Sequence, residues 1–479
     1  MEGARAGSAR SASVRGAADA RDRSVAGRAT AYLRAHAGRF VRELAELVAF
    51  PSVSSSPVAG EHLRACARWL VRHLERLGAR DARIVATRGH PIVVGRIGDD
   101  PARPSVLIYG HYDVQPAEPA AAWRHPPFAP VVRDGYLHGR GASDAKGQLF
   151  AHLKAIELVR HLHGRLPVNV AFVLEGEEEI GSPHLRGVLD RLAPQLASTV
   201  AVVSDNAVLG PDRPSITYAL RGDLYLDVEV AGGLADLHSG NFGGAVDNAL
   251  RVLVTALARL YGPGGRVAVP GFTDAVAATR TGERVFMRAA GPSDRELRRE
   301  AGGAPLVAGG AFSAYERATI RPSIEIAGVA GGYVGSGIRG VIPARATGKL
   351  DLRLVPRQDP DRVHRLVFER LAGAVPRGFE LRTRERMRVA PALLDRGHPA
   401  ARAAARAYHR GFGVAPVFVR AGGSIPVVSA LAGGLGVPTV LMGFALPDDR
   451  AHGADERFSL AMLDKAILTS AAFLEEIGR

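Results

Sequence analysis

Cysteine is nearly absent from this chain of 479 residues, which contains only one, Cys66. A single cysteine excludes an internal disulfide framework and is typical of proteins in a reducing compartment, so we expect a cytoplasmic location. The residue lies in the stretch HLRACARWL, where a small side chain facing the core is the simplest interpretation.

Long apolar runs are also missing. No uninterrupted run approaches the ~20 residues that a helix needs to cross a bilayer. The N-terminus lacks the apolar segment of a secretory signal. We therefore expect no membrane partner.

Lysine is scarce, although the chain is basic. Only four of the 62 basic residues are lysine, and the formal net charge is +14. The arginines are scattered and form no long basic block, so we expect no nucleic-acid partner despite the charge. A basic binding protein without catalytic activity is nevertheless one hypothesis that an activity assay must test.

Aromatic residues are absent before Tyr32. Residues 1–27 are rich in Ala, Arg, Ser and Gly, and such a segment cannot bury enough apolar area to fold alone. We predict that 1–27 is a disordered extension. The helix that follows should end before Pro51, and a second helix is expected over about 60–78.

The remaining chain alternates between helical and strand patterns. Residues 168–176 and 199–205 are nearly continuous apolar runs, as expected of strands buried on both faces. Helical patterns precede and separate them. This order predicts an α/β fold with a mostly parallel sheet.

The pattern changes near residue 218, where strands begin to alternate apolar and polar residues. We therefore predict a discontinuous catalytic domain, interrupted by an α+β lid and dimerisation domain. Its first part covers 28–217, the lid 218–385, and its second part 386–479.

Acids and histidines follow the predicted strands in a distinctive order. YGHYDVQP contains His111 and Asp113, GRGASDAKGQ contains Asp144, and GEEEIGS contains three glutamates, 177–179. Asp205 and His452 follow in VVSDN and AHGADE. Because ligand sites of open α/β sheets form at the carboxyl ends of strands, we expect these residues to meet. Together they are the inventory of a two-metal hydrolase.

Chemistry suggests roles for several of them. Asp113 lies two residues after His111, so on extended chain it can accept a hydrogen bond from the ring nitrogen not bound to metal. A carboxylate such as Asp144 can bridge two cations. Among the three glutamates, one would be a ligand and its neighbour the general base for a metal-activated water.

With these motifs, the chain resembles the aminoacylase/carboxypeptidase G superfamily of two-metal exopeptidases, and most of all its carnosinase-type dipeptidase branch. Further matching motifs are DLHSGNFGGAV, VIPARATGKLDLRLVP and GGSIPV. The resemblance implies two divalent ions per chain, zinc first, with manganese or cobalt as alternatives. It assigns one ion to His111, Asp144 and Asp205, and the other to Asp144, Glu179 and His452.

The resemblance also implies roles for residues that are not ligands. Glu178 would be the general base, and Glu177 would be exposed. His238 of the HSG motif would stabilise the oxyanion, reaching across from the partner subunit of a homodimer. Arg353 would pair with the substrate carboxylate, and Gly423 and Ser424 would add polar contacts.

The resulting prediction is a metal-dependent hydrolase of dipeptides or short peptides. The alternative is an amidohydrolase of N-acyl amino acids, of the deacetylase or desuccinylase type. The long insert and the GGSIPV segment favour the first.

Overall fold

The computed structural model describes residues 3–307 and 310–479, with side chains from Val25 onward. It divides into two compact units. The first contains residues 1–216, 396–417 and 430–479, and the second contains 217–395 and 418–429. Residues 386–395 and 418–429, which the sequence assigns to the second part of the catalytic domain, thus belong to the second unit. The roles of the units as catalytic and lid domains stay predictions.

Helices occur in both units. Those among the described residues are α1 (Gly3–Val48), α2 (Gly60–Arg76), α3 (Gly147–His163), α4 (Leu185–Leu196), α5 (Ser239–Phe242), α6 (Ala249–Ala258), α7 (Thr281–Ala290), α8 (Asp294–Glu300), α9 (Ala314–Ile320), α10 (Pro360–Ala372), α11 (Pro399–Phe412), α12 (Pro426–Leu435) and α13 (Leu460–Ile477).

Strands also occur in both units. Those among the described residues are β1 (Arg80–Val85), β2 (Ile92–Ile97), β3 (Ser105–His111), β4 (Val131–Arg133), β5 (Tyr136–His138), β6 (Asn169–Glu175), β7 (Val200–Val203), β8 (Ser215–Leu220), β9 (Gly222–Ala231), β10 (Leu237–His238), β11 (Ser323–Gly331), β12 (Val341–Ile342), β13 (Arg345–Leu354), β14 (Glu380–Val389), β15 (Ala392–Leu393), β16 (Val417–Ala421), β17 (Thr439–Leu441) and β18 (Arg457–Ser459).

The first unit is built on a mostly parallel sheet. Its strands run in the order β1-β2-β6-β3-β7-β17. From β6 to β17 neighbouring strands are parallel, whereas β2 is antiparallel to both β1 and β6. β7 is buried along its whole length, as the continuous apolar run predicts. The predicted α/β fold class is confirmed.

The helices of this unit bury apolar stripes. Leu63, Cys66, Leu70 and Leu74 are buried on one side of α2, and α3 is buried on nearly every side. Within the described parts of the chain, no helix is both long and apolar enough to cross a membrane.

The N-terminal segment that we predict to be disordered overlaps α1, which begins at Gly3. Ala and Arg are strong helix formers, which agrees with a helical backbone there. Side chains before Val25, and residues 1 and 2 altogether, lie outside the described residues. The disorder of 1–27 therefore stays a prediction.

The second unit is built on an antiparallel sheet in the order β11-β13-β9-β14. Alternate residues of β9, from Leu224 to Val230, are buried against α6 and α10 together with Leu350 and Leu352 of β13. The other face carries polar side chains. This alternation is the pattern predicted from the sequence.

Candidate metal centre

Strand ends supply two of the predicted site residues. His111 is the last residue of β3, and it pairs in register with Glu175 at the end of β6. Asp205 follows the end of β7 by two residues. Because these strands are parallel, their carboxyl ends meet at one edge of the sheet, where ligand sites of such folds form.

Asp144 lies in an irregular turn, Ala142–Lys146, just before α3. Gly141 enters the turn with a φ of +83°, a conformation that side chains disfavour. The buried carboxylate of Glu456 accepts hydrogen bonds from the amides of Gly141 (2.8 Å), Ser143 (2.9 Å) and Asp144 (3.0 Å). Glu456 therefore fixes the backbone that presents Asp144.

The two carboxylate oxygens of Asp144 face different histidines. Oδ1 lies 3.3 Å from Nε2 of His111, and Oδ2 lies 2.9 Å from Nε2 of His452. His111 Nε2 is also 3.5 Å from Asp205, and His452 Nε2 is 3.3 Å from Glu179. Asp144 thus stands between two donor sets, which is the arrangement of a bridging carboxylate.

Asp113 contacts the ring of His111 through both its backbone carbonyl and its carboxylate. Nδ1 of His111 lies 3.1 Å from the backbone carbonyl of Asp113 and 3.5 Å from its carboxylate. The carbonyl therefore orients the ring, leaving Nε2 to face the acids. The carboxylate also accepts hydrogen bonds from the amides of Glu178 (3.2 Å) and Glu179 (3.0 Å).

The crowded acids strongly perturb their neighbours. Hydrogen bonds to Asp144 and Glu179 raise the pKa of His452 to about 10. Burial lowers the pKa of His111, but Asp205 and the other nearby carboxylates outweigh it and raise that pKa well above its usual value. Burial and the charge of Asp205 raise the pKa of Glu178. The centre therefore carries an excess of negative charge, which bound cations would offset.

The donors fit divalent ions. Nε2 of His111 is buried without a hydrogen-bond partner, and so is Oε1 of Glu179. Two groups of metal-binding type occur among the described residues, His111 with Asp144 and Glu179, and His111 with Glu178 and Asp205. Imidazole nitrogens and carboxylate oxygens at this spacing suit zinc and related divalent metals.

Glu177 corrects one expectation. It is buried, not exposed. Its carboxylate accepts a hydrogen bond from the amide of His90 at 2.8 Å and lies 2.8 Å from Nδ1 of His184. The resemblance implies that the residue type at this position varies among similar proteins. In this chain, the Glu177 side chain joins two loops of the first unit.

The remaining predicted residues lie in the second unit. His238 is exposed, and its Nδ1 accepts a hydrogen bond from the amide of Gly240 at 3.0 Å. Arg353 forms ion pairs with Asp223 and Asp351 and lies 3.5 Å from Oγ of Ser424. A side chain added at Gly423 would meet nothing within 4 Å.

Sequence reasoning missed two residues that support the centre. Glu456 is the last residue of the AHGADE motif, so a signal was present, but its partners are more than 300 positions away. Gln115, in GHYDVQP, donates a hydrogen bond to Glu179 at 2.9 Å. The signal that would have found Glu456 is an acid in the same motif as the predicted ligand His452.

Acids and histidines at the carboxyl ends of a parallel sheet, with one carboxylate between two donor sets, define a metal-dependent hydrolase. The chain belongs to the peptidase family M20/M25/M40, whose model matches residues 107–476.

Named relatives cover nearly the whole chain. It is 31% identical to the Cys-Gly metallodipeptidase DUG1 of Candida albicans, over 92% of this chain and 95% of that protein. It is also 31% identical to the human Beta-Ala-His dipeptidase, over 92% and 90% of the two chains.

Solved structures agree. The M20 family metallo-carboxypeptidase Sso-CP2 from Sulfolobus solfataricus matches with a TM-score of 0.83 and 30% identity, over 92% of this chain and 99% of that one. Human carnosine dipeptidase 1 matches with a TM-score of 0.80 and 29% identity, over 95% and 99%.

Proposed function

We propose that this protein is a metal-dependent dipeptidase. The observation that carries the proposal is the position of Asp144, whose two oxygens face His111 and His452 at 3.3 and 2.9 Å. Relatives that share about nine-tenths of its length are named as dipeptidases, which supports this substrate class over N-acyl amino acids.

Two divalent ions would occupy the centre. His111, Asp144 and Asp205 would hold one, and Asp144, Glu179 and His452 the other. Zinc is the first choice, with manganese or cobalt as alternatives. When bound, the ions would polarise the peptide carbonyl and lower the pKa of the attacking water.

Glu178 is the proposed general base. Asp113 holds its amide at 3.2 Å, and its side chain lies close to His111 and Asp205. The carboxylate would take a proton from the water as it attacks the carbonyl carbon. It would then deliver that proton to the leaving amine, so a single group serves both steps.

His238 is the proposed donor to the oxyanion. Because Nδ1 accepts from Gly240, the neutral ring carries its proton on Nε2, where it is free to donate. Leu234, Val334 and Ile338, near the β10–β12 pair, are almost fully exposed apolar side chains. Such exposure supports a homodimer in which this region is covered by the partner.

Arg353 would bind the substrate carboxylate, with Ser424 and the amide of Gly423 beside it. Guanidinium groups recognise carboxylates through two parallel hydrogen bonds. Ser424 is anchored for this role, since its Oγ donates to the carbonyl of Arg221 at 2.7 Å.

A cytoplasmic location is part of the proposal. It rests on the single, buried cysteine, Cys66. Cell fractionation with an antibody against the protein tests it, and recovery in a secreted or membrane fraction would contradict it.

The decisive experiment is a substrate panel with each metal added back. Purified protein is stripped with a chelator and reloaded with zinc, manganese or cobalt. Hydrolysis is then measured on dipeptides and on N-acetyl and N-succinyl amino acids. We expect metal-dependent cleavage of dipeptides. Faster cleavage of the acylated amino acids would favour the amidohydrolase alternative, and no hydrolysis with any metal would contradict both.

A further inference from the structure

An ion cluster lies on the outward face of the second unit's sheet, opposite its apolar core. Arg353 of β13 pairs directly in register with Asp223 of β9. Asp351 lies two residues before Arg353, so both side chains point to the same face. The cluster is therefore built by the strand pairing itself.

Arg353 is held at two separate nitrogens. One lies 2.9 Å from Oδ2 of Asp223, and another lies 2.9 Å from Oδ2 of Asp351. The side chain of Asp223 is only 3% exposed. The second oxygen of each aspartate is buried without a hydrogen-bond partner. Two negatively charged carboxylates thus pair with one guanidinium, which carries a single positive charge.

A second guanidinium accompanies the cluster. Arg221 donates to the carbonyl of Gly422 at 2.8 Å and lies 3.4 Å from Oγ of Ser323, so these partners are neutral. Burial and the nearby charge of Arg353 lower the pKa of Arg221 to about 10. With both aspartates ionised, their two negative charges balance the two guanidinium groups, and the exposed Glu325 on β11 adds a further negative charge nearby. No positive charge is therefore left over before any substrate arrives.

We propose that Asp223 and Asp351 are positioning residues that fix the guanidinium of Arg353 and set the charge met by an incoming substrate carboxylate. This inference rests on the proposed role of Arg353 in the dipeptidase. A carboxylate that binds the balanced cluster adds an uncompensated negative charge. Binding is therefore strongest when the aspartate pair has taken up one proton.

Titration of the pair supports this coupling. Burial raises the pKa of Asp223 to about 6, with Asp351 adding to the rise and Arg353 opposing it. The other facing charges are Arg221 and, on β11, Glu325, whereas β14 presents Val389. Below pH 6 Asp223 carries a proton, and the cluster favours a substrate carboxylate. Above pH 6 that preference is lost.

The test separates the carboxylate from the rest of the ligand. A dipeptide analogue in which a methylene group replaces the nitrogen of the scissile amide, which leaves no titratable amine there, is prepared as the free acid and as the C-terminal carboxamide. Calorimetry gives the acid-to-amide affinity ratio for the metal-loaded protein at pH 5.5 and pH 7.5. Both forms meet the same metal centre, so its own titration cancels in the ratio.

We expect the wild-type ratio to fall by about tenfold between pH 5.5 and pH 7.5, the effect of a one-unit shift in one pKa. Asp223→Asn and Asp351→Asn each keep a hydrogen-bond acceptor for Arg353 but remove a charge. In both variants the ratio at pH 7.5 should rise by about tenfold and lose its pH dependence. If one variant does not fold, the other tests the same balance.

Asp227→Asn is the matched control, because Asp227 lies on the same face of β9 but pairs with Arg386. It should leave the ratio unchanged; a change equal to that of the other two would overturn the proposal. The proposal would also be overturned if both Asn variants kept the wild-type ratio and its pH dependence. A ratio above one that survives Arg353→Met would show that another group binds the substrate carboxylate, which would overturn this inference without contradicting the dipeptidase proposal. No hydrolysis and no analogue binding by the wild type would overturn the proposed function itself, and this inference with it.

Discussion

Asp144 is the residue on which the proposed metal centre should depend most, because each of its oxygens lies against a different histidine. Removing its carboxylate removes a ligand from both donor sets at once. No other predicted ligand belongs to both sets.

Asp144→Ala should therefore lose most of the bound metal and nearly all activity. Elemental analysis of the purified wild type should approach two ions per chain. Asp190→Ala, which breaks only an exposed ion pair with Arg186, should keep both ions. A fully active Asp144→Ala protein would disprove the bridging role.

Glu178 and Glu179 are neighbours with different expected roles, and the matched amides distinguish them. Glu178→Gln keeps its shape but cannot accept a proton, so kcat should fall by at least about 10²-fold with both metals retained. Glu179→Gln should lose metal instead. The opposite pattern of metal contents would mean that the two roles are exchanged.

At the scale of elements, the turn before α3 depends on Glu456. Its two oxygens accept hydrogen bonds from the amides of Gly141, Ser143 and Asp144, and Arg140 holds it at 2.8 Å. A carboxylate that receives only donors cannot be replaced by an amide without turning a donor toward a donor.

Glu456→Gln should therefore weaken metal binding by about 10–100-fold, the usual effect of losing a partner that orients a ligand. Titration against a competing chelator measures it, and kcat at saturating metal should change far less. Glu475→Gln, which alters an acid of α13 paired with Arg410, is the control and should bind metal normally. Equal metal affinity in both variants would remove the positioning role of Glu456.

Helix α3 carries a buried histidine that should make the first unit sensitive to acid. Burial lowers the pKa of His152 to about 4, and its Nε2 lies 2.7 Å from Oγ of Ser204. The folded state keeps the ring neutral, so its contribution is complete above the unfolded pKa of about 6.5. It is lost as the pH falls from there toward 4.

The free energy of unfolding should therefore fall by about 2 kcal/mol between pH 7 and pH 5 on account of His152 alone. Urea unfolding with chelator present at both pH values measures this. His152→Gln should lose less stability over the same interval, even if it is less stable at pH 7. An equal loss in both proteins would show that folding does not lower the pKa of His152.

The sequence predicted elements well where periodicity is strong. The apolar run at 199–205 contains the fully buried β7, and α3 is the helix predicted before the run at 168–176. The sequence did not predict contacts between residues that are far apart along the chain. Glu177 is buried because His90 and His184 reach it, and the Asp113 carboxylate turns to the amides of residues 178 and 179. Spacing along the chain reports local geometry and cannot report such partners.

At the scale of the whole molecule, assembly is the main prediction. His238→Ala should reduce kcat by about 10²–10³-fold, as expected for an oxyanion donor, with little change in metal content. Mixing it with Glu178→Gln protein should restore part of the activity, because one hybrid site would have both groups intact.

That rescue requires exchange of subunits, which mass analysis of differently tagged chains can establish separately. Light scattering gives the oligomeric state of the wild type. A fully active monomer would rule out the cross-subunit role of His238 and leave the two-metal mechanism untouched.

The first unit is also assembled from distant stretches of chain, and this has a consequence for its biosynthesis. Asp144 and Glu456 are 312 positions apart, with the whole second unit encoded between them. At about 5–20 residues per second, a ribosome needs roughly 15–60 s to cover that interval. Throughout it, the nascent turn has neither Glu456 nor His452. A chain stalled before residue 449 should therefore contain a folded second unit but acquire no complete complement of metal.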